Sequence, residues 1–104
     1  LVKYCINSFL ATKVTFMNEM YDVLKAAKGT EWSEFIKMIN SDPRIGKTHM
    51  QVPGNDGVRG YAGSCFPKDT AALAYFAREI LNTPFTQLET SIEINDKLRK
   101  KNQS

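Results

Sequence analysis

The chain has 104 residues, is 42% hydrophobic and carries a net charge of +3. That is enough for one compact domain of modest burial, and its apolar runs are too short to span a bilayer. Two cysteines in unlike contexts exclude a disulfide framework, and four basic residues at the end of the last predicted helix (Lys97, Arg99, Lys100, Lys101), without interleaved aromatics, do not imply nucleic acid.

In chain order the apolar spacing predicts four helices around one long loop, an all-α fold with no convincing strand. The first helix runs over about 2–27, with Ile6, Leu10, Val14, Met17, Tyr21 and Leu24 three to four residues apart. At about 1.5 Å per residue it is close to 40 Å long, more than a small domain needs for its own core, so it is expected to pack against a second subunit. Gly29 is expected to end it. Cys5, with no helix N-terminus beside it, reads as a small buried hydrophobe. Met17, Met20 and Tyr21 read as core or interface packing.

The second helix is expected to start with Thr30 as N-cap, to carry Glu31 and Glu34 in its first turn, and to bury Trp32, Phe35, Ile36 and Ile39 before Asp42-Pro43 stops it. Residues 44–64 hold five glycines and a proline without sustained period, so this stretch is read as a functional loop rather than core. His49, the single histidine, has no metal-ligand partners at useful spacing, and no metal is expected. The third helix follows Cys65 to about residue 81, where Asn82-Thr83-Pro84 breaks it. The fourth covers about 85–101 and is expected to bury Leu88, Ile92 and Leu98.

Gly63-Ser64-Cys65-Phe66-Pro67-Lys68-Asp69 is the stretch most suggestive of chemistry. Pro67 fixes its own φ and lacks an N–H, which suits a first helical turn, so Cys65 stands at a helix N-terminus. The unpaired N–H groups there, with Lys68 nearby, favour an anionic sulfur, the form that acts as a nucleophile. Asp69, four residues on, is placed to orient or deprotonate a water. Alone, the same run also fits a buried structural cysteine. Lys3 and Asn7, four apart, share one helix face, which suits either a solvated surface or a pair converging on an oxyanion.

Gly60-Tyr61-Ala62-Gly63-Ser64-Cys65-Phe66-Pro67-Lys68-Asp69 resembles the catalytic-cysteine motif of the UDP-glucose/GDP-mannose dehydrogenases. Lys3-Tyr4-Cys5-Ile6-Asn7 resembles that family's lysine-then-asparagine helix, and Asp42-Pro43-Arg44-Ile45-Gly46 its arginine loop. The resemblance spans essentially the whole chain and implies that 1–104 is the central helical, dimerising domain, of the 6-phosphogluconate dehydrogenase C-terminal type. It implies flanking NAD-binding and nucleotide-sugar-binding domains outside these residues, which contain no Gly-x-Gly-x-x-Gly fingerprint. A start at Leu1-Val2-Lys3 without Met or signal peptide reads as a segment of a soluble cytoplasmic protein.

The implied reaction takes UDP-glucose to UDP-glucuronate with two NAD, through a thiohemiacetal and a thioester on Cys65. In it Lys3 and Asn7 hold the oxyanion and Asp69 handles the hydrolytic water. Lys68 lies against the NAD. Tyr61 and Gly63 line the sugar-binding loop, and Arg44 reaches the nucleotide sugar of a neighbouring subunit, making a homodimer part of the site. From its sequence position alone Arg44 equally suits a surface turn. Ala62 in place of a family glycine and a long 52–59 stretch leave GDP-mannose or a UDP-N-acetyl amino sugar open as substrate, and a non-catalytic dimerisation module is the alternative of another class.

Overall fold

A computed structural model describes residues 1–101, with side chains through Lys100; the side chain of Lys101, one of the four basic residues noted above, lies outside that description. The helices are α1 (Val2–Ala26), α2 (Trp32–Asn40), α3 (Cys65–Tyr75) and α4 (Thr86–Lys101), and among the described residues there is no strand. The all-α expectation holds. No helix among the described residues is long and apolar enough to cross a membrane.

α1 packs on both α3 and α4, which also pack on each other. Its buried residues are Ser8, Ala11, Thr15, Met17 and Asn18, so of the apolar stripe read from the sequence only Met17 is fully buried, among small and polar neighbours. Small and polar side chains let the neighbouring helices come close, and Thr15 and Ser91 share a buried hydroxyl contact of 2.9 Å between α1 and α4. The apolar centre is small: Leu73 and Ala74 of α3 meet Leu88 of α4, with Ile92 against them. Burying a leucine such as Leu88 contributes about 2 kcal/mol. Ile6 is exposed, and so are Val2, Phe9, Phe16 and Val23. Positions 2, 6, 9, 16 and 23 fall on a single alternating three- and four-residue seam along α1.

Several local expectations need correction. α1 ends at Ala26, and the left-handed residue after it is Lys28 (φ 55°), not Gly29. The Lys28 N–H reaches the Lys25 carbonyl and the Gly29 N–H the Leu24 carbonyl, the paired bonds of a Schellman ending. Gly29 is needed for space instead, because a Cβ there would sit 2.5 Å from Leu24 Cδ1. The N-cap of α2 is Glu31 rather than Thr30, leaving Glu34 as the acid of its first turn. α2 buries none of its residues fully. It is held through Trp32, which donates to the Met50 carbonyl at 2.9 Å, stacks on Phe35 and meets Tyr21 edge-on.

α3 does not stay α-helical to residue 81: a π-helical turn, Phe76–Ile80, finishes it. Arg78 on that turn forks onto Glu89 of α4 at 2.6 and 2.8 Å, tying the end of α3 to the start of α4. Cys5 is exposed, not a buried hydrophobe, and lines an apolar hollow with Phe9, Leu73 and Phe85. The loop of residues 44–64 contributes to the interior, since Met50, Gly60 and Tyr61 are buried.

That loop is pinned along its length. Lys13 of α1 donates to the carbonyls of Ile45 and Gly46 at 3.1 and 3.2 Å, and the partial burial this requires lowers its pKa. Arg59 forks onto Asp22 and onto the Asn18 carbonyl and side chain, with its guanidinium over the Tyr21 ring. Arg99 of α4 holds Asp56 at 3.0 Å. One of the four basic residues read as a solvated helix end is therefore committed to the long 52–59 stretch.

Candidate active site

Cys65 is the first residue of α3 and is exposed, with Ser64 Oγ 3.8 Å from its sulfur. Pro67 is the third residue of the helix, where its missing N–H leaves nothing unpaired. The helix N-terminus thus meets the thiol directly, and the partial positive charge of the first-turn N–H groups acts on it over a short distance. One turn further on Asp69 is completely buried, 0% exposed. Its Oδ2 accepts a 2.7 Å hydrogen bond from Asn7 Nδ2 of α1. Its Oδ1, also buried, has no hydrogen-bond partner and lies 3.7 Å from the Lys68 ammonium in a loose ion pair.

The Asn7–Asp69 bond brings the two expected halves of the site together. Lys3 precedes Asn7 by one turn on α1, and Cys65 precedes Asp69 by one turn on α3, so each pair shares a face of its helix. Lys3 is exposed on α1, and Lys68 keeps 64% of its side chain in solvent. A sealed carboxylate with one strong partner is expensive to hold, because desolvation is repaid only by full pairing. What it achieves here is orientation: Asn7 is held by one amide hydrogen, leaving the other to point elsewhere.

Tyr61 is buried, and its N–H is taken by Asn95 Oδ1 at 2.7 Å. It therefore has no amide hydrogen to spare for a ligand. Burial raises the pKa of its phenol, and its ring meets Phe66 edge-on at 6.0 Å. Gly63 (φ 93°) is exposed, with nothing within 4 Å of where a Cβ would sit, and Ala62 beside it is exposed as well. His49 also stacks on Phe66 at 5.5 Å, and its burial, with the Lys13 charge, lowers its pKa. Among the described residues no group of histidine, cysteine and acidic side chains is placed to hold a metal.

Arg44 stands apart. Its side chain is 86% exposed and forks onto Asp42, Nη2 to Oδ2 at 2.6 Å and Nε to Oδ1 at 3.0 Å. That fork, joined by the Arg44 backbone N–H, lowers the pKa of Asp42. The loop that carries Arg44 is tied to α1 at Lys13, beyond Lys3 and Asn7 along the helix.

Sequence reasoning missed Asn95, Arg59, Lys13 and His49. Two of these left a signal. Asn95 falls in register with Leu88 and Ser91 on the inward face of α4, and Lys13 interrupts the exposed apolar seam of α1. A polar residue standing where the period calls for an apolar one is the trace of a specific bond.

Residues 1–97 match the UDP-glucose/GDP-mannose dehydrogenase family, central domain. The chain is 44% identical over 96 residues to the putative UDP-glucose 6-dehydrogenase YtcA of Bacillus subtilis, covering 92% of this chain and 21% of that protein. It is 40% identical over 96 residues to the UDP-glucose 6-dehydrogenase of Rhizobium meliloti, covering 92% of this chain and 20% of the relative. With the Pseudomonas aeruginosa enzyme of the same name the identity is 47% over 77 residues, 74% of this chain and 16% of the other. The chain spans about a fifth of the length of these relatives. The helical fold and the match over residues 1–97 agree that this chain belongs to the UDP-glucose/GDP-mannose dehydrogenase family, as its central domain.

Proposed function

We propose that this domain supplies the thiol and the oxyanion-holding groups of a nucleotide-sugar 6-dehydrogenase that converts the C6 alcohol of UDP-glucose to the carboxylate of UDP-glucuronate, a donor for polysaccharide synthesis in the cytoplasm. The observation that carries this reading is the bond from Asn7 to the buried Asp69 carboxylate, which joins the lysine-asparagine face of α1 to the cysteine turn of α3. A scaffold without chemistry has no use for a sealed, half-satisfied carboxylate at that junction. Residues 1–104 are then the central domain, between an NAD-binding and a UDP-sugar-binding domain that lie in the rest of the polypeptide.

The residues present fit a nicotinamide dinucleotide through one contact. Lys68 is a largely exposed cation in the first turn of α3, whereas no phosphate-binding glycine fingerprint exists in the sequence. When bound, NAD supplies the hydride acceptor for both oxidations, two per sugar. Cys65 acts in the second. Its thiolate adds to the C6 aldehyde, forming an S–C bond and an alkoxide, because the aldehyde carbon releases hydride readily only after such an addition. Lys3 Nζ and the second Asn7 amide hydrogen hold that oxyanion. Loss of hydride leaves a thioester, and attack by water breaks the S–C bond, restoring the thiolate and giving the acid, which loses its remaining proton to solvent as the carboxylate. Asp69 Oδ1, the buried oxygen without a hydrogen bond, is the acceptor for the proton of that water.

Arg44 serves a neighbouring copy, reaching its nucleotide with a planar fork once it leaves Asp42. The homodimer forms along the exposed seam of α1, where Phe9 and Phe16 are 72% and 62% exposed. Gly63 and the backbone around it, open to solvent, take the sugar. Tyr61 contributes by its place in the loop.

The test is NADH release by the complete polypeptide with a panel of nucleotide sugars, beside its Cys65→Ser variant. Two NADH per UDP-glucose, lost in the variant, is the expected result. Turnover confined to GDP-mannose or a UDP-N-acetyl amino sugar reassigns the substrate, and silence with every sugar overturns the proposal in favour of a dimerisation scaffold.

A further inference from the structure

The inward face of α4 carries an asparagine whose side-chain oxygen and nitrogen both bond one loop residue. Asn95 is 6% exposed. Its Oδ1 accepts the Tyr61 N–H at 2.7 Å and its Nδ2 donates to the Tyr61 carbonyl at 3.0 Å. A side-chain amide that satisfies both backbone groups of one residue fixes the peptide planes on either side of it, as a neighbouring strand would. Were the position needed only for packing, an apolar residue would fill it without the desolvation cost of an amide.

The loop is shaped to receive that amide. Gly60 has φ 88°, and a Cβ there would lie 2.5 Å from Asn95 Oδ1 and 3.3 Å from Arg99 Cδ, so any other residue is strained and obstructed at once. One turn along α4, Arg99 Nη1 reaches the Arg59 carbonyl at 3.4 Å. α4 therefore grips the loop at alternate residues, 59 and 61.

From Tyr61 the hold passes to the cysteine turn. The Tyr61 ring lies edge-on to Phe66, the residue after Cys65, and its hydroxyl is close to Thr70. Thr70 Oγ1 in turn donates to the Phe66 carbonyl at 2.7 Å and to that of Pro67 at 3.2 Å. Between Tyr61 and Cys65 only Ala62, Gly63 and Ser64 intervene, all exposed. They form a short span hung between two fixed ends.

We infer that Asn95 is a positioning residue for the thiol and the sugar-binding backbone: by locking Tyr61 it sets where the 62–64 span and Cys65 face. This rests on the proposed thiol chemistry, since positioning matters only if Cys65 and the span meet a substrate. Asn95 touches neither, and acts through Tyr61.

The experiment uses the complete polypeptide with Asn95→Ala, Asn95→Asp and Gly60→Ala, each first shown to melt cooperatively. Amide hydrogen exchange at residues 60–64, kcat and KM for the nucleotide sugar (with sites counted by thiol titration), and the alkylation rate of Cys65 by iodoacetamide are read on each. In Asn95→Ala the exchange at 60–64 rises about tenfold while the α1 amides keep their protection. kcat per thiol falls about 10- to 100-fold and KM rises, because a misplaced reacting group loses the benefit of orientation. Gly60→Ala does the same by pushing from the other side. Asn95→Asp keeps the volume but sets an oxygen against the Tyr61 carbonyl, and decides the matter by the same criteria if Asn95→Ala does not fold.

Faster exchange with kcat per thiol and KM both within about twofold of the native protein overturns the inference, because the clamp would then be structural only. If the native protein oxidises no sugar, that failure belongs to the proposed function, and alkylation decides. A change of about threefold or more in the Cys65 rate supports positioning, and an unchanged rate overturns it.

Discussion

The two segments that carry charged and nucleophilic candidates are built on opposite principles. Residues 60–69 are held from behind on both sides of the exposed 62–64 span: Asn95 on Tyr61, Tyr61 on Phe66, Thr70 on two carbonyls, Asn7 on Asp69. Residues 42–46 are anchored only at their end, by Lys13, and present Arg44 into solvent with Asp42 as its sole side-chain partner in the described residues. A pre-set cluster suits a group that must attack or stabilise a transition state, where reorganisation would cost rate. An exposed arginine on a short turn suits a group whose target arrives from another body. On the proposed reading the first segment carries the chemistry within one chain and the second serves an assembly.

The sharpest way to break that comparison is Asp69→Asn. If the buried carboxylate is there for chemistry, the amide removes the acceptor for the hydrolytic proton while keeping a hydrogen bond to Asn7, and kcat falls about 100- to 1,000-fold. Thermal stability is expected to hold or rise, because a costly buried charge with one hydrogen bond has been neutralised. Measured side by side, kcat and the melting temperature separate the cases. A lower melting temperature with activity lost only in proportion to the unfolded fraction would make Asp69 a structural anchor.

The second prediction sharpens the contrast from the other side. Arg44→Ala alone is expected to raise KM for the nucleotide sugar about tenfold or more, the loss of one charge-assisted fork. Mixed and re-equilibrated with Cys65→Ser, it is expected to recover up to about a quarter of the native sites, since half the dimers are hybrids and each hybrid has one complete site. Both single variants are nearly silent at low substrate, so any rise on mixing is diagnostic. No recovery after exchange of subunits, verified by mass, returns Arg44 to its own chain or to a plain surface turn.

How far the sequence disclosed all this depended on the range of the interaction. The four helices follow from local period and from Pro67, Gly29 and Asp42-Pro43 as punctuation, so their existence was legible and their ends were off by a residue or so, except at α3, which gives way to a π-helical turn after Tyr75. The cap of α1 shows the reason. Gly29 looked like the left-handed residue, yet Lys28 takes that conformation, and a Cβ at Gly29 would instead crowd the Leu24 side chain. The inward face of α1 was misread for a related cause. Periodicity marks an apolar stripe without saying what it faces, and here Met17 of that stripe is buried with Ser8, Ala11, Thr15 and Asn18 while Ile6 stays out. The Cys65 and Asp69 pair was legible because both lie in one helical turn. Asn95 and Arg59 were not, because their partners stand 34 and 41 residues away and no local rule connects them.

The smallest expected effect concerns His49, which joins the two segments: its ring stacks on Phe66 beside Cys65, while the Lys13 charge that holds residues 45 and 46 acts on it. Partial burial and that charge lower its pKa from the ordinary 6.5, so the folded protein keeps His49 neutral after the unfolded chain has begun to take up a proton. The unfolded state then binds more protons, and stability falls as the pH drops below 6.5 toward the depressed folded value. Well above 6.5 the group is neutral in both states and contributes no pH dependence. His49→Phe keeps a ring on Phe66 and removes the proton site, so its urea midpoint is expected to fall less than the native one between about pH 7.5 and 5.5. Equal falls in the two proteins would mean that His49 titrates alike folded and unfolded, and that the Lys13 and Phe66 contacts do not couple the arginine loop to the cysteine turn.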